Sequence, residues 1–232
     1  MQGTVLFRIT DGGDKRRRSC YNRVSTPMQR GISKMRTQGK GRDIKSVLLQ
    51  AALPHVPFDG WTDAVLTRAG QDAGIPVAKV DGAFPGGGRD LVRFFFQWAD
   101  DEMLKKMEKL PLDKMRMRDK VAGGVRVRLE VLRPHKQAFI KAMAADRFGA
   151  PRRVWATADK IWWAAGDTAT DYNHYTKRLL LSSVITSTVL YWLADESKDN
   201  AATFAFLERR IDDVLKIGRK IAQFKKPAEA GT

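Results

Sequence analysis

From Asp43 onward, apolar positions recur at spacings of three and four, the period of helices that bury one stripe. Ile44, Val47, Leu48, Ala51, Ala52 and Val56 open the series and predict a helix ending near Pro57 and Gly60. A second, short helix starts at Trp61-Thr62, with Thr62 as N-cap and Ala64, Val65 and Ala69 turned inward. After the Ala73-Gly74-Ile75 turn, a third runs from Pro76 to Asp81, with proline at its first position. Three short helices with a glycine in the second turn have the grammar of a helix-turn-helix unit. Phe84-Pro85-Gly86-Gly87-Gly88 lacks the Gly-Lys-Ser/Thr ending of a phosphate loop and follows no strand, so it reads as a connector.

Beyond the connector the helices lengthen. Leu91, Phe94, Phe95, Trp98, Met103, Met107 and Leu110 predict an amphipathic helix stopped by Pro111. Leu112 to Leu132 mixes Met115, Met117, Val121, Val125, Leu129 and Leu132 with Arg116, Arg118, Lys120, Arg126, Arg128 and the adjoining Arg133, a core-facing helix with a solvated basic side in preference to a basic amphipathic helix lying on an anionic membrane; Gly123-Gly124 marks a kink or a close backbone approach. Pro134 starts the next helix, with Phe139, Ile140 and Met143 apolar, and Gly149-Ala150-Pro151 ends it. Trp155, Ala158, Trp162 and Ala165 then share one helical face, where alternating bulk and gap suit either a core or the wall of a ligand site. Gly166-Asp167 breaks that helix.

Thr170 to Ala194 organises the rest. It carries no charge from Leu179 to Ala194, so a helix that is apolar all round is expected, buried by its neighbours. Its hydroxyls make it a poor membrane span, which needs about 20 mainly apolar residues. Ser182, Ser183, Thr186, Ser187 and Thr188 put small side chains in its middle, where another helix can approach closely or an apolar guest can fit. The last helix, capped by Asp199 or Asn200, carries Phe204, Leu207, Ile211, Val214, Gly218 and Ile221 at helical spacing and pairs with it as an antiparallel hairpin.

The fold class is therefore all-α: residues 43–88 form the three-helix head and residues 89–224 a larger helical domain. The net charge of +16 is unevenly spread, because residues 1–42 hold eleven Lys and Arg against Asp11 and Asp14. That tail lacks periodicity and reads as disordered, as does 225–232; it is open to reading as a nucleic-acid arm, a targeting peptide or sequence upstream of a start at Met28 or Met35. A single Cys20 fits a reducing compartment, and no apolar run follows the N-terminal charges, so a cytoplasmic location is expected.

Catalytic constellations are missing from the sequence. His55, His135 and His174 stand apart, with no His-Glu-x-x-His, Glu-x-x-His, Cys-x-x-Cys or Gly-x-Ser-x-Gly, so no cofactor or metal is expected. Asp171 and His174, three apart, could orient one another as a base and its partner, but capping explains them more simply.

Leu48, Ala51-Ala52, Gly60-Trp61, Thr62, Ala69, Ala73-Gly74-Ile75 and Phe84 resemble the packing positions of the TetR regulators' DNA-binding head. The third helix offers only Val77, Ala78, Lys79, Val80 and Asp81, poor equipment for bases or phosphates, so specific nucleic-acid binding is not expected, and a TetR-type regulator sensing an apolar effector is the alternative. Thr170 to Arg178, Leu190 to Ser197 and Phe206 to Ile211, together with Gly60-Trp61-Thr62 and Met117 to Lys120, resemble the Coq-nine family of ubiquinone-biosynthesis accessory proteins from about Ile44 to Phe224.

That resemblance implies a TetR-like fold, homodimerisation, a non-catalytic role, and a lipid site that takes a polyprenylated quinone precursor or a phospholipid for presentation to the demethoxyubiquinone hydroxylase. The hydroxylase-facing positions carry over to Asp171, His174, Tyr175 and Arg178, with His174 where relatives often have Trp. The lipid site is expected from Val125, Leu129, Phe139, Met143, Trp155, Ala158, Trp162, Leu179, Ser182, Ser183, Thr186 and Leu190. Membrane-binding relatives have a further amphipathic C-terminal helix, whereas Phe224 is followed here by Lys225 to Thr232 alone, so membrane contact is expected to be peripheral, at the inner membrane surface, through basic helix faces.

Overall fold

A computed structural model describes the backbone of residues 39–167 and 172–224, and the side chains of 44–167 and 174–217. The expected disorder at both ends and the Asp171 side chain lie outside the described residues, except that helix α1 (Gly39–Ala52) begins four residues before the expected boundary. The remaining helices are α2 (Val56–Asp59), α3 (Asp63–Asp72), α4 (Val77–Ala83), α5 (Gly88–Met107), α6 (Met117–Leu132), α7 (Lys136–Ala145), α8 (Ala150–Ala164), α9 (Tyr172–Ala194) and α10 (Ala201–Phe224). The described residues contain no strand.

Helix starts and stops follow local chemistry. Thr62 caps α3, its Oγ1 accepting from the Val65 amide at 3.3 Å. Val65, Leu66, Ala69 and Gly70 are the buried side of α3, while Ala64 is exposed; the inward stripe is rotated from the one expected. Gly166 ends the α8 segment at φ 91°, a left-handed conformation that favours glycine. Pro151 belongs to the first turn of α8 rather than to the end of α7, which stops at Ala145. The expected cap of α10 also moves: Asp199 and Asn200 adopt φ 55° and 57°, while Ser197 Oγ accepts from the Ala202 amide and Asp195 Oδ2 from the Thr203 amide.

One apolar core runs from Leu48 through Phe95, Leu129 and Ile161 to Ile211, crossing the 88/89 boundary without a break. Trp61 is the main tie: its indole Nε1 donates to the Ala138 carbonyl at 3.0 Å, and its ring lies 4.9 Å from that of Phe95. The connector closes on α3 as well, since Gly88 N donates to Asp63 Oδ1 at 2.7 Å and a Cβ at Gly88 would lie 2.4 Å from the Trp61 carbonyl. Of the two readings of Gly123-Gly124, the close approach is the observed one. A Cβ at Gly124 would lie 2.8 Å from Ile161 Cγ2 and 3.1 Å from Met107 Sδ, so α6, unbroken here, meets α5 and α8 without a spacer.

Helix α9, uncharged from Leu179 to Ala194, packs against α8 and α10 but is not surrounded. Leu179 and Leu190 are 63% and 59% exposed, and Ser183 and Thr186 between them are also exposed. Hydroxyl groups on this face are satisfied by their own helix: Ser183 donates to the Leu180 carbonyl, Thr186 to Ser182 and Ser187 to Ser183. A stretch of helix can thus lack charge and still meet water on one side.

Candidate functional site

Where α7, α8 and α9 converge over α5 and α6, the packing leaves a cavity of about 140 Å³. Phe139 and Met143 come from α7, Ala150, Arg153, Val154 and Thr157 from α8, and Ile185, Thr186, Val189 and Leu190 from α9; Phe96 and Arg128 close it from below. The walls are mainly apolar, and the lining grades from buried Phe96, Phe139 and Thr157 to exposed Thr186 and Leu190, which mark the mouth. A space of this size matches engineered cavities of about 150 Å³ that hold benzene, and falls short of the ~300 Å³ usual for small-molecule sites. It can take one ring or one isoprene unit, and a longer chain must leave by the mouth.

Four of the expected lipid residues, Phe139, Met143, Thr186 and Leu190, line this cavity. Val125 and Leu129 are buried in the core, and the residue of α6 that reaches the cavity is Arg128, one of the positions read as solvated. Trp155, Ala158 and Trp162 lie one step around α8 from the lining residues Val154 and Thr157, about 100° of helix rotation. They serve the α8–α9 contact instead: Trp155 lies 6.4 Å from the Tyr175 ring, Trp162 Nε1 donates to the Lys177 carbonyl at 3.2 Å, and Ala158 is fully buried. Leu179, Ser182 and Ser183 are on α9 and do not line the cavity.

Beneath the cavity lies a buried polar cluster that the periodicity did not reveal. Asp100 accepts from Arg128 Nε at 2.8 Å and from Thr157 Oγ1 at 3.1 Å, and pairs with Lys160 Nζ at 3.3 Å. Arg128 and Asp100 side chains are each 8% exposed, so this pair sits where an uncompensated charge would be expensive. At the side of the cavity, Arg153 stacks over Phe96 at 4.2 Å and is held by Asp146. Burial pulls the Arg153 guanidinium below the ordinary arginine range; Asp146 offsets part of this, and the positive charge of Arg128 adds to the lowering.

Of the expected hydroxylase-facing residues, His174, Tyr175 and Arg178 are described, and they differ in exposure. Tyr175 is 63% exposed and His174 is half-buried with its ring 5.2 Å from that of Tyr175. Arg178 is 3% exposed, its Nε on Asp159 Oδ1 at 2.5 Å and its Nη1 3.6 Å from Asp167 Oδ2. A side chain so enclosed positions the start of α9 and cannot itself reach a partner without leaving those carboxylates. Basic residues of α6 are likewise committed: Arg118 pairs with Glu208 and Asp212 of α10, and Arg126 with Glu130. Arg128 corrects the expected solvated basic face outright, since it points into the fold.

The arrangement defines a class: an all-helical, TetR-like protein with helices α1 to α4 before Gly88 and an apolar cavity among the helices beyond it. A solved TetR transcriptional regulator from Nitrosomonas europaea superposes with a TM-score of 0.62 at 18% identity, covering 75% of this chain and 98% of the regulator, which establishes the fold alone. The likeness at the level of sequence is to COQ9. The COQ9 family model matches residues 149–218, the α8–α10 region. The chain is similar to the mitochondrial ubiquinone biosynthesis protein COQ9 of Drosophila melanogaster, at 32% identity over 80% of this chain and 60% of that protein. The human COQ9 protein is 28% identical over 79% of this chain and 61% of its own length. The resemblance carried by the sequence blocks is thus to the COQ9 family, and the chain spans about three-fifths of the length of these curated relatives. Among the described residues no helix is long and apolar enough to cross a membrane.

Proposed function

We propose that this protein serves ubiquinone biosynthesis as a non-catalytic lipid-binding accessory protein, holding a polyprenylated quinone precursor and presenting it to the demethoxyubiquinone hydroxylase. The observation that carries the reading is the apolar cavity between α7, α8 and α9, open at Thr186 and Leu190, whose α8 and α9 walls fall in the region matched by the COQ9 model. Transfer of a prenyl tail into such a site gains about 0.8 kcal/mol per buried CH2, so a carrier needs apolar wall and exit more than it needs reactive groups. Relatives named for ubiquinone biosynthesis support the pathway; the same relatives are named as mitochondrial, which does not support the expected cytoplasmic location. A head whose third helix turns Val77, Ala78, Lys79 and Asp81 to solvent balances one cation with one anion, which disfavours the DNA-binding alternative.

The test is mass spectrometry on an organic extract of the full chain purified without detergent. The expected result is an isoprenoid quinone or a precursor at near-stoichiometric amount. A protein that arrives empty and takes up no added prenylated quinone contradicts the reading. Presentation to the hydroxylase is tested separately with Tyr175→Ala, which is expected to weaken co-purification of the hydroxylase while leaving lipid content unchanged.

A further inference from the structure

The cavity is apolar except at its floor, and the polar groups there are unevenly satisfied. Every acceptor of Asp100 is in use, with Arg128, Thr157 and Lys160 all directed at the one carboxylate. The donors are not. Arg128 commits Nε to Asp100, and among the described residues neither of its two Nη atoms has a hydrogen-bond partner, although the side chain is more than nine-tenths buried and lines the cavity. The Nη atoms keep some contact with solvent where Arg128 lines the cavity, so this floor offers charged donors to an acceptor from outside the chain. Arg153, a second guanidinium on the same lining, is held by Asp146.

Size adds a second constraint. About 140 Å³ is close to the engineered cavities that hold benzene, so one six-membered ring suits it. We infer that the inner end of the cavity takes the oxygen-bearing ring of a single-ring quinone or phenol, whose oxygen accepts from Arg128, while the apolar tail leaves past Thr186 and Leu190. The inference rests on the lipid-carrier reading and adds to it the orientation of the guest, ring inward and tail outward. Phe96 and Phe139 flank the ring, and the exposed stretch of α9 around Leu190 receives the first part of the tail.

The test compares two probes with the same tail, decylubiquinone and decylbenzene, by their equilibrium partition between phosphatidylcholine vesicles and the full chain. Wild-type protein is expected to bind decylubiquinone at least tenfold more tightly, relative to vesicle partition, than decylbenzene. The double variant D100N/R128M, which removes both partners of the buried pair together, is expected to lose that preference and keep its affinity for decylbenzene. Arg128→Lys, which keeps a charge but loses the guanidinium fork, serves where the double variant does not fold, and is expected to show a reduced preference. Equal binding of both probes by the wild type overturns the ring-inward orientation while leaving the lipid carrier standing. An unchanged preference in a folded variant overturns the role of Arg128. Failure of the wild type to bind either probe removes the carrier reading and this inference with it.

Discussion

Thr157 and Ile161 sit one turn apart on α8 and meet opposite packing regimes. At Ile161 the seam with α6 is so close that a single methyl at Gly124 would overlap it, at 2.8 Å. At Thr157 the same helix stands off from α7 and α9 by enough to leave about 140 Å³. Interiors normally pack at crystal-like density, so slack that stops within one turn is a local feature with local causes. Here the cause is visible: Asp100, Arg128 and Thr157 form a polar floor that apolar side chains cannot cover without orphaning it, and α9 sets the short side chain of Thr186 beside Ile185, Val189 and Leu190 on the facing wall.

The comparison can be broken by perturbing either seam. The largest expected effect is at the tie between head and bundle: Trp61→Ala empties a buried indole site and orphans the Ala138 carbonyl, costing about 3–5 kcal/mol by chemical denaturation. Next is Arg178→Ala, which removes the buried guanidinium from Asp159 and Asp167 and should cost about 3 kcal/mol. If its stability instead matched wild type and only hydroxylase co-purification fell, Arg178 would be a contact residue after all. Gly124→Val overfills the tight seam and should cost about 2 kcal/mol, measured as a lower Tm.

A smaller effect is expected at the turn into α10. Burial disfavours the Asp195 carboxylate, but hydrogen bonds from the side chains and amides of Thr203 and Ser197 outweigh it and hold the carboxyl well below the usual carboxylate range. Its folded pKa is therefore depressed, so its stabilisation is present above the unfolded value near 4 and is lost as pH falls from there toward the folded value. Asp195→Asn should cost about 1 kcal/mol at neutral pH, and the gap between variant and wild type should narrow in acid, which urea melts at pH 7 and pH 3 would show.

Much of this architecture was readable because helices are specified locally. The Thr62 cap, the Gly74 turn, the Gly166 stop and the run of α9 all follow from neighbouring residues. Tertiary facts were less accessible. The cap of α10 comes from Asp195, eight residues before the Thr203 amide it serves, across a turn held in left-handed backbone at two non-glycine positions. The face of α8 was chosen by the bulk of Trp155 and Trp162, yet indoles need a partner for Nε1, and that of Trp162 finds the Lys177 carbonyl on α9, which rotates the cavity wall to Val154 and Thr157. Arg128 belonged by period to the apolar stripe of α6, between Val125 and Leu132, and its charge alone argued it outward. A carboxylate at Asp100 on the preceding helix was the compensating signal, legible only once α5 and α6 are paired.

The slack seam itself gives the most direct test. Val154→Phe places a ring in the cavity from its α8 wall, and because it fills existing space it should change stability by less than about 1 kcal/mol. Prenylated quinone bound per protein after saturation and detergent-free gel filtration should then fall at least tenfold from the wild-type level, with Tm almost unchanged. If the filled variant holds as much quinone as the wild type, the cavity between α7, α8 and α9 is not the lipid site.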